Sequence, residues 1–129
     1  AVDLMRQNIA RWTRKIDTDL TPATVLCKDA RTWKDEPELR GKADVVLANL
    51  PHDSFEHLPD LFPLFVPHGE GLLRGWAIIE RTSIDTRVEQ LERLVRAAGG
   101  TPKETRVSEI KDFSTTRIEV VFQTLIAWE

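Results

Sequence analysis

The chain has 129 residues, 41% of them hydrophobic and 30% charged, and a formal net charge of −3. This length and composition are typical of one soluble globular domain and exclude a chain that is basic throughout, although a local basic stripe can still bind phosphate. A single cysteine, Cys27, excludes an internal disulfide and a cysteine-based metal site, so we expect a cytoplasmic protein. No apolar run approaches the roughly 20 residues of a membrane helix, so we expect no membrane partner.

The first half of the chain predicts one helix and two short strands. A helix is predicted over residues 1–15, because apolar side chains recur there at spacings of three and four. Short apolar runs predict strands over 23–27 and 44–49, and the charged segment 31–42 between them is predicted to be a loop or a short irregular turn. A helix over 54–65 would be shortened or kinked by its two prolines.

The second half of the chain predicts a strand, a helix and a hairpin. Residues 67–71 are a predicted turn and 72–79 a buried strand. The next helix begins with a capping arrangement of Thr82 and Asp85 and stops at Gly99-Gly100. Strands over 105–110 and 118–127 follow. This order predicts an α/β fold whose sheet has parallel strands and a C-terminal antiparallel hairpin.

The block over residues 43–52 is the first candidate for chemistry. It takes a buried strand directly into a proline turn, and it leaves Asn49 at the carboxyl end of the strand, where open α/β sheets bind ligands. The Asn49 side chain offers a donor and an acceptor together, and Pro51 fixes the turn behind it. His52 is able to stack on a base or accept a proton near neutral pH. The alternatives are that Asn49 satisfies only its own turn and that His52 is a solvated surface residue.

Other side chains are weaker candidates. Arg74 and Trp76, on the strand over 72–79, are suited to contacting a phosphate and stacking on a base, although for Trp76 plain core packing is the favoured alternative. The basic residues of the last two strands form either a phosphate track or a solvated face (Lys103, Arg106, Lys111, Arg117). His52 and His57 have a poor spacing for a metal, and no metal site is predicted. Nucleophile-elbow, phosphate-loop and zinc motifs are absent from the sequence.

Five blocks of the sequence match one known family in the right order. The chain resembles the class I S-adenosylmethionine-dependent methyltransferases, and within them the archaeal tRNA (guanine-N1)-methyltransferase and wyosine-synthesis transferase group. The blocks cover nearly the whole chain: residues 1–9, Asp29-Ala30-Arg31, Ala43-Asp44 with Asn49-Leu50-Pro51-His52, Gly69-Glu70-Gly71, and residues 107–114. Each block alone is a weak indication.

The resemblance implies a Rossmann-like methyltransferase sheet, S-adenosylmethionine as cofactor and a tRNA base as substrate. It implies that Asp29 accepts a hydrogen bond from the adenine amine and that Ala30 presents a backbone amide to the ring. Asn49 and Leu50 would also line the cofactor. Asn49, Pro51 and His52 would form the catalytic block. The alternative for Asp29 is an N-cap or turn residue.

The family pattern is incomplete in this chain. The family sheet has the strand order three, two, one, four, five, seven, six, and the Gly-rich loop after its first strand is missing here. We therefore expect residues 1–129 to be a single domain that forms the C-terminal part of a class I methyltransferase domain. Three arrangements are open: the strand over 23–27 pairs beside 44–49, another copy of the chain completes the sheet as a homo-oligomer, or a preceding segment does. Arg74-Gly75-Trp76 also departs from the family pattern, which leaves the methylated atom open.

The sequence thus predicts methyl transfer from S-adenosylmethionine, with a tRNA base as the favoured acceptor. Two alternatives remain: a non-catalytic module derived from a methyltransferase that binds RNA or a partner protein, and a small-molecule methyltransferase of the same fold.

Overall fold

The structure, a computed structural model, describes residues 2–16, 28–49 and 55–129. Two α-helices and four strands occur in this part of the chain: α1 (Val2–Ile16), β1 (Val45–Asn49), β2 (Gly69–Glu80), α2 (Ile84–Ala97), β3 (Gly100–Asp112) and β4 (Arg117–Trp128). Short 3-10 helices cover Ala30–Asp35, Phe55–Asp60, Phe62–Leu64 and Arg81–Ser83. Neither α-helix combines the length and apolar character needed to cross a bilayer. The strand predicted over 23–27 lies outside the described residues.

The four strands form one mixed sheet in the order β1-β2-β4-β3. β1 and β2 are parallel, whereas β2 with β4 and β4 with β3 are antiparallel. The last strand therefore inserts between its two predecessors. This is the order four, five, seven, six of the family sheet, and it confirms the predicted α/β fold with a C-terminal hairpin.

One face of the sheet is buried, because every second residue of β2 and β4 is apolar or small and points to the same side. Helix α2 and the 3-10 helices over 55–64 cover this face. Phe55 packs edge-on against Phe122 with ring centroids 4.9 Å apart. The fully buried side chains at the centre of this core include Phe55, Leu58, Leu73, Ile79, Leu91, Val95, Ile118, Val120, Phe122 and Ile126.

Gly75 sets the approach of β1 to the core. A Cβ atom at Gly75 would lie 2.2 Å from the Ala48 carbonyl oxygen and 2.5 Å from Cζ of Phe122. Both separations are far below ordinary contact distances. The absence of a side chain therefore allows β1, β2 and the Phe122 ring to pack at their observed spacing.

Three local predictions need correction. Residues 55–64 form two 3-10 helices and no α-helix, since Pro59 and Pro63 cannot donate the backbone hydrogen bonds of a regular helix. Strands β2 and β3 extend beyond their predicted ends, because both pair with β4 along nearly its whole length. The N-cap of α2 is Ser83 and not the predicted Thr82. The Ser83 hydroxyl donates to the Glu80 carbonyl at 2.7 Å and makes no capping hydrogen bond to the helix.

Candidate functional site

Asn49 is the last residue of β1 and its side chain is exposed. Because β1 and β2 are parallel, their carboxyl ends lie at the same edge of the sheet, as predicted. Asn49 is in register with Trp76, and β2 continues beyond it to Glu80. The side-chain amide thus stands beside a strand that continues past it along the same face of the sheet.

The second face of the sheet carries the side chains that alternate with the buried ones. Register places Leu47, Arg74, Gln123 and Arg106 in one row across β1, β2, β4 and β3. The neighbouring row, one step toward the carboxyl end of β1, contains Asn49, Trp76, Val121 and Ser108. The structure therefore brings the predicted substrate residues Arg74 and Trp76 onto the same face as Asn49.

Arg74 is half-buried and makes two interactions. Its Nη1 donates to Oε1 of Gln123 at 2.6 Å, and its guanidinium carbon lies 5.9 Å from the centroid of the Trp76 ring. Trp76 is also half-buried, on the face opposite the core. Trp76 therefore lies outside the apolar core that the described residues form, and its role toward a substrate stays a prediction.

Asp29 and Ala30 lie where the 3-10 helix over Ala30–Asp35 begins. The Asp29 carboxylate caps this helix by accepting from the Arg31 backbone N–H at 2.9 Å, and it also forms an ion pair with the Arg31 guanidinium. Hydrogen bonds from the Arg31 side chain and backbone lower the pKa of Asp29 to about 2. Asp29 is therefore an exposed, permanently ionised acceptor at neutral pH. The N-cap alternative describes its local contacts, and its role toward a cofactor stays a prediction.

The remaining residues of the predicted catalytic block, Leu50, Pro51 and His52, lie outside the described residues. His57 is described, and the described ranges contain no group of three or more His, Cys, Asp or Glu side chains placed to hold a metal ion. The sequence reasoning missed Gln123, which fixes Arg74. Its only signal was alternation along the last strand, and the pairing of residues 49 positions apart is not visible in one sequence.

The strand order, with one parallel pair and a C-terminal antiparallel hairpin, describes part of a Rossmann-like α/β sheet, and Asn49 is exposed at the carboxyl end of β1. No protein-family model and no curated protein matches the chain. Solved structures do match it in fold. Trm5b from Pyrococcus abyssi superposes with a TM-score of 0.72 over 98% of this chain at 14% identity. The putative transferase PH0793 from Pyrococcus horikoshii gives 0.71 over 98% at 16% identity.

A third structure, TYW2 from M. jannaschii in complex with AdoMet, gives a TM-score of 0.63 over 74% of this chain at 18% identity. The chain covers 34%, 45% and 43% of the chains of Trm5b, PH0793 and TYW2 respectively, so it spans less than half the length of each. The fold predicted from the family resemblance is thereby confirmed.

Proposed function

We propose that this chain is part of a methyltransferase that transfers the methyl group of S-adenosylmethionine to a tRNA base. The observation that carries the proposal is the sheet order β1-β2-β4-β3 with Asn49 exposed at the carboxyl end of β1. The fold likeness to Trm5b and to TYW2, whose structure contains AdoMet, supports the same function.

The described residues fit the adenine side of the cofactor. Asp29 is exposed and ionised, so both of its carboxylate oxygens are acceptors, which suits an exocyclic amine. Ala30 is the first residue of a 3-10 helix, and the first N–H groups of a helix point outward from its start. We therefore assign Asp29 and Ala30 to the adenine and Asn49 with Leu50 to the part of the cofactor nearest the reaction.

Methyl transfer requires positioning above all. The cofactor supplies a methyl group on a positively charged sulfur, which is already a good leaving group. The chain must then hold the accepting nitrogen in line with that carbon and exclude other approaches. The Asn49 amide orients the acceptor through one donor and one acceptor, and Trp76 beside it offers a ring on which a base can stack. His52 is our candidate for removing a proton where the accepting nitrogen carries one.

The test measures cofactor binding and methyl transfer separately in the protein. Calorimetry gives the Kd for S-adenosylmethionine, and a methyl-labelled cofactor reports transfer to an unmodified tRNA transcript. We expect Asn49→Ala to lower turnover about 100-fold, as loss of an essential positioning hydrogen bond does, with little change in Kd. Asp29→Ala should raise the Kd about tenfold, because a hydrogen bond to a charged group is lost.

Matched controls exist in the same chain. Asn8→Ala, on α1, and Asp35→Ala, at the far end of the 3-10 helix that Asp29 caps, remove the same groups from exposed positions. Both should leave Kd and turnover unchanged. Equal effects of Asn49→Ala and Asp29→Ala on Kd would refute the assigned roles. RNA binding without cofactor binding would favour the non-catalytic module, and transfer to small acceptors alone would favour the small-molecule methyltransferase.

A further inference from the structure

A crevice on the face of the sheet opposite the core is lined, as far as the described residues show, almost entirely by hydrogen-bond donors. Its volume is about 220 Å³, and it lies among Arg74, Arg106, Ser108, Val121 and Gln123. These residues come from β2, β4 and β3, and register places Gln123 directly between Arg74 and Arg106. The crevice therefore has a cationic side chain on each flank and an amide at its centre.

The orientation of the Gln123 amide follows from its partner. A guanidinium group can only donate hydrogen bonds, so Arg74 requires Oε1 of Gln123 on its own side. The Gln123 NH₂ group then faces away from Arg74 and is itself a donor. Ser108 adds a hydroxyl that can donate. Among the described residues that line this crevice, none carries a carboxylate. A ligand with several acceptor oxygens would complement these donors.

Arg74 and Arg106 form no ion pair with an acidic residue of the described ranges, in contrast to Arg81 and Arg117. Arg81 is paired with Glu109 and Asp112, and Arg117 with Glu80. Within residues 2–16, 28–49 and 55–129, no carboxylate lies within ion-pair distance of Arg74 or Arg106. Two such cations, separated by one strand, favour an anion between them, since planar guanidinium groups match the geometry of phosphate oxygens.

We propose that this crevice binds a phosphate group of the RNA substrate, held by Arg74, Arg106, Ser108 and Gln123. Adjacent strands are about 4.8 Å apart, so the centre of the crevice at Gln123 lies about 10 Å across the sheet from β1. That separation suits a phosphate close to the nucleotide whose base lies at Asn49 and Trp76. This assignment rests on the proposed function, and it names the contact by which the site recognises a polynucleotide.

The experiment measures binding of an unmodified tRNA transcript and of inorganic phosphate to the protein and to three variants. Arg74→Gln and Arg106→Gln remove one guanidinium each from the crevice. Arg93→Gln is the control, because Arg93 is exposed on α2, on the opposite side of the sheet, and the change in charge is the same. Far-UV circular dichroism verifies the fold of every variant. Since Arg106 is exposed on edge strand β3, Arg106→Gln tests the site even where Arg74→Gln disturbs the sheet.

We expect each crevice variant to weaken tRNA binding about tenfold, and to lower the slope of log affinity against log salt by about 1. Arg93→Gln should change neither. Inorganic phosphate should bind far more weakly than tRNA and lose that binding in both crevice variants. Phosphate binding as tight as tRNA binding would overturn the assignment to RNA, and equal losses in Arg93→Gln would overturn the site.

The two proposals fail separately. Arginine-dependent tRNA binding without any methyl transfer would refute the proposed function and keep the phosphate site. Methyl transfer to tRNA with an unchanged KM in Arg74→Gln and Arg106→Gln would keep the function and refute the phosphate site.

Discussion

Replacing Gly75 by alanine should destabilise the protein more than any ordinary glycine substitution in a strand. The added methyl carbon would lie 2.2 Å from the Ala48 carbonyl oxygen and 2.5 Å from Cζ of Phe122. Carbon atoms in contact prefer about 3.5–4.0 Å, so these groups must separate by about 1 Å or more. β2 is held by β4 through twelve residue pairs and by β1 through only five, so β1 should move.

The expected loss in the free energy of unfolding is about 3 kcal/mol, the upper end of the usual range for overpacking a core, because a backbone atom is among the groups displaced. For a domain of this size that corresponds to a fall of about 10 °C in Tm. Thermal unfolding followed by circular dichroism measures it. Thr101→Ala, a small change at an exposed position of β3, is the control and should shift Tm by less than about 2 °C.

A second variant separates the clash with the Phe122 ring from the clash with the Ala48 carbonyl. Phe122→Leu in the Gly75→Ala background removes the ring edge and leaves the clash with the Ala48 carbonyl. The double variant should therefore be more stable than the sum of the two single costs by about 1 kcal/mol. A fall of less than about 2 °C for Gly75→Ala alone would refute the close approach, and strict additivity would refute the role of the Phe122 ring.

Three further predictions concern local interactions. Asp29→Asn should destabilise the protein at pH 6. The difference in free energy of unfolding from the wild type should shrink as pH falls from about 4 toward 2, because Arg31 lowers the pKa of Asp29 from 3.8 to about 2. Urea unfolding at several pH values measures this difference, and a value that stays constant with pH would contradict the prediction. Thr124→Val should cost about 1 kcal/mol by removing the 2.9 Å hydrogen bond to Thr105, and a double-mutant cycle with Thr105→Val should show coupling. Gly99→Ala should lower the free energy of unfolding by about 1 kcal/mol, because Gly99 follows the end of α2 at φ +92° and no atom lies near a new Cβ. Thermal unfolding measures the loss, and an unchanged Tm would contradict a purely conformational cost.

The elements that the sequence predicted well are those with strong apolar periodicity. β1, α2 and β4 have nearly the predicted bounds, since a short apolar run marks β1, helical spacing marks α2 and alternation continues through β4. β3 was predicted too short because its first residues include Pro102 and charged side chains that rarely favour strands. Pairing with β4 overrides that local preference, and an edge strand tolerates the proline.

The candidate site was predicted in part. The position of Asn49 at a strand end follows from a local pattern, and the parallel pairing of β1 with β2 puts it at the edge where their carboxyl ends lie. Strand register between distant segments places Asn49 next to Trp76 and Arg74 next to Gln123. Register is set by packing and pairing across the whole sheet, so a single sequence does not reveal it.

The unequal lengths of the strand pairings have a consequence for motion. β4 is paired on both sides along almost its whole length, whereas β1 is attached to β2 through five residue pairs. Backbone amides of β1 should therefore exchange with solvent deuterium through local opening, well before those of β2 and β4. A ligand that contacts Asn49 should bind the form in which β1 is paired with β2, and so slow the exchange of the β1 amides. Deuterium uptake by β1 then reports occupancy of the site without any chemical step.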